Sequence, residues 1–122
     1  MAGVMNSLTD VTVMQAILLS RQQETYQAND LANYDTPNYK SRQLNFQTQL
    51  AQAMQGGVSA VKQVTGTVAT VTGSQQPNGN SVSLTNTMAQ LTKTQLLFET
   101  AVEALNAKAG ELQTISEGQV SS

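Results

Sequence analysis

The feature that most constrains this chain is a long apolar repeat in its last third. Counting alternately four and three residues from Leu84, eight of the ten positions reached are apolar. The ten positions are Leu84, Met88, Leu91, Gln95, Phe98, Val102, Leu105, Ala109, Leu112 and Ser116. This spacing places the side chains on one face of a helix and is typical of coiled-coil packing, with Ser83 as the predicted N-cap. An ordinary amphipathic helix on a globular core would show the same repeat. The length of the repeat favours the coiled coil, as does a second long helix at the other end of the chain.

That second helix is predicted from about Asn6 to Asn33, a span without Gly or Pro. Its apolar stripe is confined to the first half and consists of Val4, Leu8, Val11, Met14, Ile17 and Leu18. Beyond Ser20 the same face carries small and polar residues, so burial stabilises the second half of the helix only weakly. We therefore expect the second half to contact other chains, and the termini of the isolated subunit to be poorly ordered.

A turn is predicted where the first helix ends. Thr36 precedes a proline and is disfavoured in the helical region. Pro37 suits the first central position of a β-turn, and Asn38 tolerates the positive φ that a type II turn requires at the second. A shorter helix is predicted next, capped by Asn45 and closed by Gly56-Gly57, with an apolar face formed by Phe46, Leu50 and Met54.

The middle of the chain has weaker signals. Residues Val58 to Thr72 are rich in Val, Thr, Gly and Ala, which indicates one or two short strands or an extended loop. Residues Gln75 to Asn80 predict a turn or flexible connection. The expected fold is mainly α, with long terminal helices paired as an antiparallel coiled-coil hairpin. We divide it into a first helix at residues 1–33, a middle segment with a short helix and an irregular or β-hairpin part at 34–80, and a last helix at 81–122.

The composition argues against catalysis and against most ligands. Gln, Thr, Ser and Asn make up 50 of the 122 residues, while His and Cys are absent. Without these two residues the commonest general base, thiol chemistry and zinc-thiolate sites are unavailable. Glu99 and Glu103 lie one helical turn apart, which is usual for a solvated helix face. A net charge of −2 provides no basic surface for nucleic acid. We predict no enzyme activity, catalytic residues, cofactor, metal or small-molecule substrate.

Two runs of sequence carry a resemblance to a known family. The run from Ala28 to Lys40 resembles the N-terminal motif of bacterial flagellar rod and hook proteins, where a helix ending in Asn-x-x-Asn meets a Thr-Pro-Gly turn. The runs Asn80 to Leu84, Met88 to Leu91 and Gln95 to Glu99 resemble the last helix of proximal rod proteins of the FlgB type. The chain departs from the family pattern where Asn38 replaces Gly, Ser83 replaces Asp, Thr87 and Thr94 replace Glu and Asn, and Phe98 replaces Tyr.

The resemblance implies a function and a set of site residues. A chain of this family is a structural subunit of the flagellar basal-body rod, a hollow helical shaft that transmits motor torque and conducts exported subunits. The implied turn motif consists of Asn29, Asn33, Thr36, Pro37, Asn38 and Tyr39. The residues expected in helix packing and assembly are Leu8, Val11, Met14, Leu18, Leu84, Met88, Leu91, Phe98, Val102, Leu105 and Leu112.

The implied partners are further copies of the chain and other rod proteins, with an adaptor rod protein, the inner-membrane ring and the export gate at the base. The implied location is a rod that spans the periplasm, reached by type III export. Since no Lys or Arg precedes Arg21, we expect export without a cleaved signal peptide. The alternatives are another small axial rod protein, a small secreted helical hairpin or an export chaperone. A secreted hairpin usually carries a Trp-x-Gly turn, and this chain has no Trp.

Overall fold

A computed structural model describes the backbone of residues 7–121 and the side chains of residues 7–111. The elements in chain order are α1 (Leu8–Ala32), β1 (Arg42–Asn45), α2 (Gln47–Ala53), a 3₁₀ turn (Met54–Gly56), α3 (Val58–Lys62), β2 (Thr67–Thr70) and α4 (Leu84–Ser121). The predicted fold class is confirmed: the chain is mainly helical, with two long terminal helices, short middle helices and a two-stranded antiparallel sheet. Val4, which we placed on the first apolar stripe, lies outside the described residues.

Both long helices begin at a serine that caps the first turn. The Ser7 hydroxyl accepts from the main-chain N–H of Asp10 at 3.2 Å and donates to the Asp10 carboxylate at 2.8 Å. At the start of α4 the Ser83 hydroxyl accepts from the N–H of Asn86 at 3.4 Å, which confirms the predicted N-cap. Such side chains satisfy N–H groups that have no partner within the helix, so the two starting points are fixed locally.

The hydrophobic core lies between α1 and the middle segment. Val11 and Leu19 of α1 are buried in it, and Leu19 is only 1% exposed. The other buried members come from the segment that follows the turn, and they are Leu44, Phe46, Leu50, Val61 and Val64. This core holds the middle segment against α1 and leaves α4 to pack on α1 by other contacts.

The sheet pairs β1 with β2 in a register that joins Arg42 to Thr70 and Asn45 to Thr67. Side chains of α1 occupy the opposite edge of β1: Gln23 Nε2 donates to the carbonyl of Leu44 at 2.9 Å, and the Asp30 carboxylate accepts from the N–H of Arg42 at 3.3 Å. An exposed strand edge is a site of unwanted pairing, and these two side chains cover it.

Two predictions for the middle segment are wrong. Asn45 does not cap the short helix, because it belongs to β1; Phe46 takes the N-cap position without a side-chain cap bond. Residues 58–62 are helical rather than extended, and the strand is limited to Thr67–Thr70. The physical reason is burial: Val61 is fully buried in the core, and one short helical turn places it there. The local alternation of Val and Thr in the sequence carries no information about that contact.

Gly66 directly precedes β2 and lies close to the core residue Leu44, so a substitution at this position tests the packing of the middle segment. Its φ is +77°, and a Cβ at this position would lie 2.9 Å from Leu44 Cδ1 and 3.0 Å from the Asn45 carbonyl oxygen. We expect Gly66→Ala to lower the free energy of unfolding by about 1–3 kcal/mol, because the backbone conformation and the contact are both unfavourable.

Urea unfolding followed by circular dichroism measures this effect. The control is Gly73→Ala, since no heavy atom lies within 4 Å of a Cβ built at Gly73. Equal stabilities of the two variants would contradict the packing described for Gly66.

Candidate assembly site: the polar junction and the helix pair

The predicted β-turn follows the end of α1. The N–H of Tyr39 donates to the carbonyl of Thr36 at 3.3 Å, and Asn38 has a φ of 61°. Pro37 therefore occupies the first central position and Asn38 the second, as a type II turn requires. Asn38 is also the only residue other than glycine with a positive φ within residues 7–121. The turn thus adopts the conformation expected from its four residues.

Asn33 connects the end of α1 to this turn. Its Nδ2 donates to the carbonyl of Asn29 at 2.8 Å, and its Oδ1 accepts from the Thr36 hydroxyl at 3.1 Å. Its carbonyl accepts from the N–H of Thr36 at 3.0 Å. Asn29 contributes its main-chain carbonyl to this arrangement. The Asn-x-x-Asn spacing therefore ends the helix and positions the threonine that starts the turn.

A segment far along the chain holds the turn from the other side. Asn80 is fully buried, and its Nδ2 donates to the carbonyls of Asn33 at 2.8 Å and Thr36 at 2.7 Å. Its Oδ1 accepts from the N–H of Val82 at 2.7 Å. The main chains also meet, since the N–H of Asn38 donates to the carbonyl of Asn78 at 3.0 Å. We call the contacts between residues 33–42 and residues 76–82, together with Asp30, the polar junction.

Asp30 of α1 completes the polar junction. Its carboxylate is buried and accepts from the Ser41 hydroxyl at 2.6 Å and the Tyr39 hydroxyl at 3.2 Å. Ser41 in turn donates its N–H to the Ser81 hydroxyl at 2.7 Å. A buried carboxylate is tolerated only when it has such donors. Burial raises the pKa of the Tyr39 hydroxyl above its usual value, and the Asp30 carboxylate raises it further.

The helix pair is antiparallel, because Phe98 of α4 lies beside Arg21 of α1 while Thr94 lies beside Gln27. Gln27 Nε2 donates to the Thr94 hydroxyl at 3.0 Å, and that hydroxyl also lies 3.2 Å from Gln23 Oε1. The Arg21 guanidinium lies 5.8 Å from the centre of the Phe98 ring. Thr94 and Gln27 are buried. The contact between the helices is therefore substantially polar.

One atom of this contact is left unsatisfied. Gln27 Oε1 is buried and has no hydrogen-bond partner in the described part of the chain. An unpaired buried acceptor lowers stability by about 1–3 kcal/mol. The pairing of the two long helices is accordingly less favourable than their length suggests.

The structure divides the predicted packing residues into two groups. Val11 is buried, and five others are partly buried, namely Leu8, Leu91, Phe98, Val102 and Leu105. The remaining described members are exposed: Met14 49%, Leu18 50%, Leu84 39% and Met88 55%. The side chain of Leu112 lies outside the described residues. Leu96 and Leu97, which widen the apolar face of α4, are 62% and 46% exposed. Much of the apolar surface of both helices is therefore uncovered in the single chain.

Sequence reasoning missed three residues that matter here. Leu19 lies outside the predicted stripe yet is more deeply buried than Met14 or Leu18 on it. From the sequence, Asn80 belongs to the predicted turn at residues 75–80 and to the family resemblance, and Thr94 belongs to the resemblance alone; neither is predicted to be buried. The sequence signal for Asn80 and Thr94 is the chemistry of their side chains, since amide and hydroxyl groups can donate hydrogen bonds to carbonyls that need a partner. Their partners lie many residues away along the chain, so the sequence does not identify them.

Two other kinds of site lack the groups they would need among the described residues. No group of three or more His, Cys, Asp or Glu side chains that could hold a metal ion occurs among them. None of the helices in the described part of the chain has the length and hydropathy needed to cross a membrane.

Comparison with known proteins identifies a relative of similar sequence. The flagellar basal body rod protein FlgB of Bacillus subtilis (strain 168) is 32% identical over 102 residues, and the match covers 74% of this chain and 78% of the relative. No protein-family model matches the chain.

Replacing Asn80 tests whether the polar junction depends on its amide. In Asn80→Ala the carbonyls of Asn33 and Thr36 each lose one of their two donors and the N–H of Val82 loses its acceptor, so we expect the free energy of unfolding to fall by about 2–4 kcal/mol. Chemical denaturation measures the change. Asn106→Ala is the control, because Asn106 is exposed on α4 and should change stability little. A similar, small effect of both substitutions would argue against a structural role for the Asn80 amide.

The raised pKa of Tyr39 predicts a pH dependence. Because the folded state favours the neutral phenol, its contribution is complete below about pH 10 and is lost as the pH rises through the raised pKa. We expect Tyr39→Phe to lower the free energy of unfolding by about 1 kcal/mol at pH 7 and to make its decline above pH 10 less steep. Urea titrations across this range test it, with Tyr34→Phe as the control. Parallel pH profiles for wild type and Tyr39→Phe would refute the prediction.

Proposed function

The chain belongs to the FlgB family of flagellar basal body rod proteins, and from that premise we propose that it is a structural subunit of the proximal rod. In this proposal it assembles with other copies and other rod proteins into a hollow helical shaft that transmits torque and conducts exported subunits. An adaptor rod protein, the inner-membrane ring and the export gate are its partners at the base. It reaches a rod spanning the periplasm by type III export.

The observation that carries this proposal is the apolar surface left open on the paired helices. Met14, Leu18, Leu84 and Met88 are at least 39% exposed although they lie on the predicted stripes, and Leu96 and Leu97 join them. Isolated exposed apolar residues are ordinary, but a set along a helix pair marks a contact surface. We infer that neighbouring subunits cover these side chains in the assembled rod.

The polar contact between the helices supports the same proposal. Hydrogen bonds between Thr94 of α4 and Gln23 and Gln27 of α1 fix the two helices relative to each other without using the longest apolar side chains. The helices can therefore be held in register by polar groups while their apolar side chains remain available to other chains. Both terminal units, residues 1–33 and 81–122, are then assembly elements, and the middle unit, residues 34–80, supplies the core that positions them.

The turn has a separate part in the proposal. It reverses the chain at the end of α1, and through the polar junction it sets where α4 begins. We propose that the motif residues Asn29, Asn33, Thr36, Pro37, Asn38 and Tyr39 act in assembly by fixing this geometry. In this proposal these residues act by positioning the chain and take part in no chemical reaction.

Exposed apolar residues of α4 provide the main test. We expect Leu96→Gln combined with Leu97→Gln to abolish rod assembly and swimming while lowering the unfolding free energy of the purified chain by no more than about 1 kcal/mol, since Leu96 is 62% exposed and Leu97 is 46% exposed. The readouts are motility in soft agar, electron microscopy of basal bodies and denaturation of the purified variant.

The matched control removes exposed apolar side chains from the middle segment instead. Met54 and Val68 are 39% and 44% exposed, and Met54→Gln combined with Val68→Thr should leave assembly intact. Normal swimming of the Leu96 and Leu97 variant, or equal defects in both double variants, would show that α4 is not the assembly surface.

A further inference from the structure

We propose that Asn78-Gly79 is the site at which this chain deamidates, and that the folded polar junction protects it. The two residues form the only Asn-Gly pair in the sequence. Without a side chain, glycine leaves its backbone nitrogen unhindered for attack on the preceding amide. Asn78 is exposed, so water and base can reach it. The reaction is spontaneous and concerns the isolated chain, so this inference does not depend on the proposed function.

The fold requires the glycine that makes this pair reactive. Gly79 has a φ of +84°, and a Cβ at this position would collide with the side-chain oxygen of Asn38. Asn38 itself is held at the second central position of the turn. A residue with a side chain at position 79 would have a strained backbone conformation and would displace the Asn38 side chain, so the fold favours a labile pair at its polar junction.

The chemistry needs only water. The backbone nitrogen of Gly79 loses its proton to solvent and attacks Cγ of Asn78. A bond from this nitrogen to Cγ forms, the bond from Cγ to Nδ2 breaks, and Nδ2 leaves as ammonia after taking a proton from water. Water then opens the cyclic imide at either carbonyl. One product is aspartate; the other is isoaspartate, in which the backbone runs through the former side chain and is one methylene longer.

The folded structure holds both reacting groups away from this reaction. The N–H of Gly79 donates to the carbonyl of Gln76 at 3.1 Å, and Asn78 Oδ1 accepts from the N–H of Asn80 at 3.1 Å. The Lys40 ammonium also donates to the carbonyl of Gly79 at 2.9 Å. Ring closure requires the Asn78 side chain and the Gly79 nitrogen to leave these partners. The reaction therefore proceeds from states in which these local hydrogen bonds are broken. The contacts of the polar junction oppose those states, because they hold residues 76–82 in the closed arrangement.

The product would damage the polar junction. The carbonyl of Asn78 accepts from the N–H of Asn38 at 3.0 Å, and this hydrogen bond is one of the main-chain contacts between the turn and the distant segment. Isoaspartate at position 78 displaces that carbonyl and adds a negative charge. The amide proton of Asn38 should then exchange with solvent faster than in the unmodified chain.

The experiment compares the folded chain with the chain unfolded in urea, both incubated at mildly alkaline pH. Peptide mass spectrometry follows the mass gain at each asparagine. In the unfolded chain we expect Asn78 to deamidate before Asn86 and Asn106, which precede Thr and Ala. In the folded chain we expect deamidation of Asn78 to be at least about tenfold slower than in urea. In the folded Asn80→Ala variant the rate should rise toward the unfolded value.

A second measurement tests the consequence. Chain aged in urea is refolded, the isoaspartate form is separated, and hydrogen exchange is measured at Asn38; faster exchange than in fresh chain is expected. Equal rates of deamidation at Asn78 in the folded and unfolded chain would overturn the protection. Faster reaction at another asparagine in urea would overturn the assignment of the site. Unchanged exchange at Asn38 would overturn the structural consequence.

Discussion

The arrangement of this chain depends on one buried amide. Asn80 donates to the carbonyls of Asn33 and Thr36, and it accepts the N–H of Val82 just before α4 begins. Its side chain therefore joins the end of one long helix, the turn and the approach to the other. Main-chain groups at a helix end need partners, and here they find them in a residue more than 40 positions away. Because α1 ends and α4 begins at the same place, the helices must run antiparallel.

The helix pair that results is held together differently from an ordinary amphipathic pair. Thr94 and Gln27 meet through a hydrogen bond at the contact, while Leu96 and Met88 are more than half exposed. Polar contacts specify register, because a shifted pairing would leave buried donors and acceptors without partners. The apolar side chains are then free to stabilise contacts with other subunits, which suits a subunit of the basal body rod. A chain that buried all of these apolar side chains internally would expose less apolar surface for contacts with neighbouring subunits.

The middle segment provides the stability that the helix pair lacks. Leu44, Phe46 and Val61 pack with Val11 and Leu19 into the buried core. This core anchors the first half of α1, and Asp30 anchors its end to the polar junction. The first helix, α1, thus has two contact faces, one packed against the core and one packed against α4. That division explains why its apolar stripe fades after the first half: the later contacts are made by amides and a carboxylate.

The features that depend only on neighbouring residues follow from the sequence. Ser83 marks the start of α4 because its hydroxyl accepts from the N–H of Asn86. The Pro37-Asn38 pair produces the turn because the proline ring fixes its φ and Asn38 tolerates a positive φ. The resemblance carried by the two terminal runs also identified the family. The tertiary structure alone decided which face of α4 meets α1 and where the middle strand and helix lie. Those choices depend on partners such as Gln27 and Thr94, which are 67 residues apart. Hydrophobic periodicity ranks side chains by their transfer from water, whereas here paired polar groups occupy the contact and leave apolar ones exposed.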